Sequence, residues 1–213
     1  MTEPDPRAAA RAVALDAANA YRAEFADRLL AAYALGSVAH GGYAAAVSDI
    51  DLGLVLAEIR DGDADLVEST REALLARGPL YRKLSVFWAS LPALRSGQGD
   101  GRFPAIDRLD LRNNGELLFG EDVAEQAAVA TAEELLLDSA RFAITLLASD
   151  EVIAECHQPE RLLTDSVYFT KAVLFPVRFL FSTKKTEGRA ATNDEAIDWY
   201  LTQSEAVASD LVR

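Results

Sequence analysis

The 213-residue sequence predicts an α+β protein: a small mixed sheet with helices over residues 1–122, followed by a helical bundle over residues 123–213. Three observations predict it. Apolar runs of period two alternate with helix-forming segments in the first half. The second half reads as helix almost throughout. Half of all residues are hydrophobic, which supplies a core for a chain of this length.

The elements follow in order. Asp5 and Pro6 form a cap and a first-turn proline, and "RAAARAVALDAANAYRAEFADRLLAA" continues as helix. A strand is expected from about Ala32 to Leu35, then a short helix or turn up to Ser48. In "DIDLGLVLA", Ile50, Leu52, Leu54 and Leu56 fall on one face of a strand. "DGDADLVESTREALLARG" turns into a helix closed by Gly78, and "KLSVFWAS" is a further strand. "LPALRSGQGDGRFP" is rich in breakers and reads as a surface loop. "RLDLRNNGELLFG" reads as two short strands around an Asn-Asn-Gly turn. Thr131 with Glu134, and Thr192 with Glu195, have capping-box spacing and open helices. Between them, "LLTDSVYFTKAVLFPVRFLFSTKK" is a long apolar helix, expected to kink at Pro176.

Composition narrows the function classes. A formal net charge of −13 disfavours non-specific contact with nucleic acid or an anionic membrane. It leaves a nucleotide ligand open, because a metal ion can supply local positive charge. The one cysteine, Cys156, permits no internal disulfide. The N-terminus has no signal-like apolar core, and no run reaches membrane-spanning length without a charge. A soluble, cytoplasmic protein is expected. The oligomeric state is not read from the sequence.

The chemistry is concentrated in "LGSVAHGGYAAAVSDIDLGLVL". On a strand, Asp49 and Asp51 point the same way. Two carboxylates that close repel each other and call for compensation. A divalent cation compensates them: Mg2+ takes hard oxygen ligands and often binds through one or two carboxylates plus substrate phosphates. Gly36 lets the backbone approach a phosphate, and Ser37 adds a hydroxyl donor at a helix start. The opposing reading of Asp49 and Asp51 is a strand end meeting solvent.

Gly-Ser, a spacer of about ten residues and Asp-x-Asp on a strand together resemble the motif of the nucleotidyltransferase superfamily that includes DNA polymerase beta. Gly36, Ser37, Asp49 and Asp51 fill the pattern, and Ser48 matches its small polar residue before the first aspartate. Within the superfamily the chain looks like the streptomycin/spectinomycin adenylyltransferases, which also place the carboxylate domain first and helices after. "RFLFSTKKTEGRAATNDEAIDWYL" is similar to their helix-loop-helix segment, with Arg178, a Glu187-Gly188 turn and Trp199 at the matching places. "GELLFG" resembles the strand and turn before their helical domain.

The resemblance implies that Asp49 and Asp51 hold Mg2+ on a nucleoside triphosphate, ATP or another, and that Gly36 and Ser37 grip its phosphates. A hydroxyl of a small-molecule acceptor then attacks the α-phosphorus, and pyrophosphate leaves. A third carboxylate usually comes from a later strand in this superfamily. "RKLSVFWAS" offers Lys83, Ser85 and Phe87 on one face and Leu84, Val86 and Trp88 on the other, with no acid on either. The acid can come from Asp165 or Glu187, from Asp107 or Asp110, or be absent. Absence would leave a nucleotide-binding protein weakened in catalysis. A protein or nucleic acid acceptor is the other alternative, and the acidic charge argues against nucleic acid.

Other polar residues have plain readings beside functional ones. His40 lies in the glycine-rich connection, as an exposed loop residue or a phosphate contact. His157 beside Cys156 does not make a zinc site. Lys171 and Arg178 share a face of the long helix and either neutralise phosphate or partner acids of the bundle. Lys184, Lys185 and Arg189 read as a solvated turn. Phe175, Phe179, Phe181, Trp199 and Tyr200 read as core.

Overall fold

A computed structural model describes residues 5–158, 160, 164–185 and 192–213. The chain divides into two compact units, Met1–Ala130 and Thr131–Arg213.

The first unit is built on a four-stranded mixed sheet in the order β3-β2-β1-β4. Its strands are β1 (Leu29–Leu35), β2 (Ile50–Leu56), β3 (Leu84–Ser90) and β4 (Glu116–Gly120). β1 runs antiparallel to both β2 and β4, and β3 runs parallel to β2. A parallel neighbour needs a crossover. The crossover here contains helix α3 (Asp63–Leu75).

The long opening helix α1 (Pro6–Phe25) packs with α3 on one face of the sheet. Asp5 caps it, its carboxylate accepting the Arg7 amide at 3.0 Å. The even positions of β2, Ile50, Leu52, Leu54 and Leu56, are fully buried against α1 residues such as Ala14, Ala18 and Tyr21. The Arg28 guanidinium holds α3 by its start, donating to both oxygens of Asp63 at 2.7 and 2.9 Å.

The other face is covered by α4 (Leu91–Ser96) and α5 (Ala105–Asn114), whose Leu94 and Leu111 meet Tyr33, Leu35, Val55 and Phe87. Both helices replace what the sequence suggests. The expected loop after β3 begins with a helix: the Ser90 hydroxyl accepts the Ala93 amide, a proline stands in the first turn, and Gly97 closes it at φ 72°. The expected hairpin around Asn113-Asn114-Gly115 is instead α5 followed by β4. The alternation in "RLDL" mimics a strand, but tertiary contacts decide otherwise. Arg108 is buried and donates to the carbonyls of Ala128 and Gly97, while Leu109 and Leu111 fill the core.

The second unit is helical: α6 (Ala132–Phe142), α7 (Asp150–Cys156), α8 (Ser166–Lys184), α9 (Asn193–Leu201) and a last turn, α10 (Ser209–Val212). Both expected capping boxes form, at Thr131/Glu134 and Thr192/Glu195. Pro176 lies inside α8. Phe142 packs edge-on against Phe175 and Phe179, and Phe181 packs edge-on against Trp199. These aromatics are therefore packing residues of the unit. Among the described residues no helix is long and apolar enough to cross a membrane.

Candidate active site

The site is assembled where β1 ends and β2 begins. Because the two strands are antiparallel neighbours, Leu35 pairs with Asp51. The chain then turns at Gly36, which takes φ +58°, and enters the short helix α2 (Gly36–His40). A Cβ at position 36 would collide with Oδ2 of Asp51. Glycine is thus required twice, for its backbone angle and for the carboxylate that occupies its side-chain space.

Two further residues fix this turn. Asp110 of α5 is buried, and its Oδ2 accepts the Gly36 amide at 2.6 Å. Its other oxygen accepts from Asn114 Nδ2 at 2.9 Å. Arg7 of α1 donates to the carbonyls of Val38 and Ala39 at 2.8 and 2.9 Å, which caps the far end of α2. The Gly36 amide is therefore spent within the protein. The remaining first-turn amides of α2, from Ser37 onward, have no acceptor within the helix by its own geometry.

Asp49 stands just before β2, half-buried like Asp51 and Ser37. The loop leading to it is tied down. Ser48 Oγ accepts the Ala44 amide at 3.0 Å, and Lys83 Nζ donates to the carbonyls of Ala45 and Ser48 at 2.6 and 3.2 Å. Tyr43, a residue of this same loop, packs against the core shared by α1 and the sheet. Its hydroxyl is buried with no hydrogen-bond partner among the described residues, and burial first, then the charge of Asp49, push its pKa up.

The strand beside Asp51 is the place to look for a third acid. Asp51 pairs with Ser85 in the parallel ladder. Leu84 and Val86 are buried on the opposite face, with α1 and α3. The residue beside Asp51 on the neighbouring strand is therefore a serine. Asp110 reaches the site, but as the acceptor of the Gly36 amide. Asp107 is on the same helix, one turn earlier. Asp165 belongs to the second unit, and Glu187 lies outside the described residues, as does the Glu187-Gly188 turn. Among the described residues, no group of three or more His, Cys, Asp or Glu side chains is arranged to hold a metal ion. What the first unit offers is the pair Asp49 and Asp51.

The sequence is matched by no family model and by no curated protein. The fold is matched. Spectinomycin adenyltransferase AAD(9) from Enterococcus faecialis, a crystal structure with ATP and spectinomycin, superposes with a TM-score of 0.61. The match covers 92% of this chain and 86% of that one at 12% identity. The fold is nucleotidyltransferase-like. A toxin-antitoxin structure with AMP-PNP also matches, at 15% identity over 65% of this chain and 98% of that one, with a TM-score of only 0.35.

Within the first unit, Gly36, Ser37, Ser48, Asp49 and Asp51 lie where β1 ends and β2 begins. Lys171 and Arg178 do not join that group within one unit: both are on α8 of the second. Three residues near the site have contacts that the motif does not announce: Asp110, read as a possible third acid, Lys83, read as a position on the candidate strand, and Tyr43. Asp110 is too far along the chain to be linked to Gly36 by spacing. Tyr43 is one aromatic in a glycine- and alanine-rich connection, which is its only signal. The basic Lys83 stands in for no acid and instead braces the loop before Asp49.

Proposed function

We propose that the first unit binds a nucleoside triphosphate with Mg2+, ATP in the first instance, and transfers the nucleoside monophosphate to a hydroxyl of a small-molecule acceptor. One observation supports this above the others: the carboxylate of Asp51 sits in the side-chain space of Gly36, two residues from Asp49. That sets the Asp51 carboxylate, one of the acid pair, against a glycine-led helix start. An acidic surface turn has no need of such an approach. The buried hydroxyl of Tyr43 near Asp49 adds a polar donor with no partner among the described residues. The superposition on a protein solved with ATP and spectinomycin supports the same class of reaction.

In this reading Asp49 and Asp51 hold the cation through hard carboxylate oxygens. Bound there, Mg2+ supplies charge neutralisation for the triphosphate oxygens. Ser37, through its hydroxyl and the first-turn amides of α2, holds phosphate oxygens. Asp110 and Arg7 hold α2 itself, so that the donors are pre-placed. In the transfer, the acceptor oxygen forms a bond to the α-phosphorus as the bond to pyrophosphate breaks. The acceptor proton leaves to a carboxylate of the pair or to solvent.

A specific observation favours a second reading, a nucleotide-binding protein with weak transfer. Ser85 faces Asp51 across the ladder, and a serine hydroxyl is a poor base at neutral pH. Pyrophosphate release from ATP and Mg2+ over a panel of hydroxyl acceptors separates the two. Release that needs an acceptor and is abolished in D49N/D51N supports transfer. Tight ATP binding with no release across the panel supports the second reading.

A further inference from the structure

On the outer side of Asp49, a pocket of about 280 Å³ opens along the edge of the sheet. Four cationic side chains line it, Arg71, Arg82, Lys83 and Arg102, against two acids, Asp49 and Glu68. A basic hollow is unexpected on a chain of net charge −13. We propose that this pocket is an oxyanion subsite, and that it selects an acceptor carrying a phosphate group. The acceptor half of this proposal rests on the transfer reading above; the anion site does not.

The lining is built into the fold. Arg71 of α3 is held in bidentate contact with Glu68, at 2.9 and 2.6 Å. Glu68 also feels Arg102, and both guanidinium groups hold its carboxyl below the usual range, Arg71 foremost. Arg102 is placed by its backbone, which exchanges two hydrogen bonds with Trp88 at 2.9 and 2.7 Å. Its guanidinium lies 5.2 Å from the centre of the Phe87 ring. The preceding Gly101, at φ +85°, runs so close to the Trp88 carbonyl that no Cβ fits there. Arg82 is exposed at the rim, and among the described residues its side chain enters no ion pair.

The backbone contributes as well. β3 is the edge strand, and Trp88 directs its amide and carbonyl outward to Arg102. Backbone direction alternates along a strand, so Val86, two residues earlier, directs its amide to the same edge. Val86 lines the pocket. An outward amide among guanidinium groups matches a tetrahedral oxyanion, which takes several convergent N–H donors. The same lining repels a polycationic acceptor, which is the point where this chain parts from the spectinomycin enzyme in expected substrate.

The test uses the full chain and inorganic phosphate and pyrophosphate as probes, titrated by calorimetry at low salt. Wild type should bind them, and R82Q/R102Q should lose roughly tenfold or more in affinity with an unchanged melting temperature. D49N, which removes a repelling carboxylate from the pocket, should bind phosphate more tightly while losing Mg2+-dependent ATP binding. These opposite signs separate the two claims. Phosphate bound without any ATP binding would sink the transfer reading and leave the anion site standing. No phosphate binding, or equal binding by R82Q/R102Q, would overturn the subsite. Phosphate displaced competitively by ATP and Mg2+ would overturn its assignment to the acceptor.

Discussion

Gly36 and Asp51 occupy one place: the space a side chain would fill at Gly36 holds the Asp51 carboxylate. Gly36→Ala therefore meets both a positive φ and a collision. It should cost about 1–3 kcal/mol of stability and displace Asp51. Asp51→Asn, which keeps the shape, should leave stability near wild type. Urea unfolding beside an ATP titration checks this: both variants should lose Mg2+-dependent binding, and Gly36→Ala alone should lose stability.

Asp110 should prove a positioning residue. Asp110→Ala leaves the Gly36 amide without its acceptor, a loss of about 1–3 kcal/mol. Asp110→Asn keeps an oxygen for that amide and should recover much of it. Nucleotide affinity should follow stability across the two variants, since the carboxylate acts through Gly36. A large loss of binding in Asp110→Asn at full stability would instead make Asp110 a ligand of the site.

Ser85 pairs with Asp51, where a third acid would complete the proposed metal site. Ser85→Asp should tighten binding of Mn2+ or Mg2+ by roughly tenfold, since affinity rises with ligand charge. Direct cation titration, without nucleotide, reads this out. Unchanged affinity would mean that position 85 does not face the ion.

The buried pair Arg28 and Asp63 gives the first unit an acid limit. Hydrogen bonding to Arg28 holds the Asp63 carboxyl below its ordinary 3.8, while burial opposes this. A carboxyl depressed in the folded state contributes stability above its unfolded pKa and loses it as pH falls through the folded value. Wild type should therefore lose stability progressively below pH 3.8, and Asp63→Asn should lack that part of the slope. Urea midpoints measured at successive pH values check it. Asp63→Ala, which leaves the part-buried Arg28 guanidinium without its carboxylate, should cost about 1–3 kcal/mol at neutral pH.

Tyr33 sets a corresponding alkaline limit. Its hydroxyl accepts the Val123 amide at 2.6 Å and donates to Asp122 at 3.0 Å, and burial foremost pushes its pKa up to about 12. A raised pKa means stability present below the ordinary value of 10.0 and lost as pH rises toward 12. Tyr33→Phe should flatten that alkaline decline while costing about 1 kcal/mol at neutral pH through the stranded Val123 amide.

The legible parts of this molecule are those written locally. Asp5-Pro6, Thr131/Glu134 and Thr192/Glu195 announce helix starts because their caps lie within four residues, and all three form. The leucine alternation of β2 reads correctly because one face is wholly buried. Residues 91–114 read poorly because their conformation is decided by distant partners. Asp110 becomes helical around a bond to Gly36, and Arg108 around carbonyls on two other segments. Ser90, the proline after Leu91 and Gly97 did carry a complete start-and-stop signal for α4, masked by the glycines that follow. At the site, Gly36 and Asp51 are legible as a pair because glycine followed by spaced acids has few other uses. The bond of Asp110 to Gly36, the burial of Tyr43 and the basic pocket are not, since contacts between distant segments make them.

In the function proposed above, Asp49 and Asp51 form a magnesium-dependent nucleotide site. A calorimetric titration of ATP into the full chain, with Mg2+ and then with EDTA, tests it most directly beside D49N/D51N. The account predicts saturable binding that requires Mg2+ and disappears in the double variant while its melting temperature holds. Binding of equal strength in EDTA, or in the double variant, would contradict it.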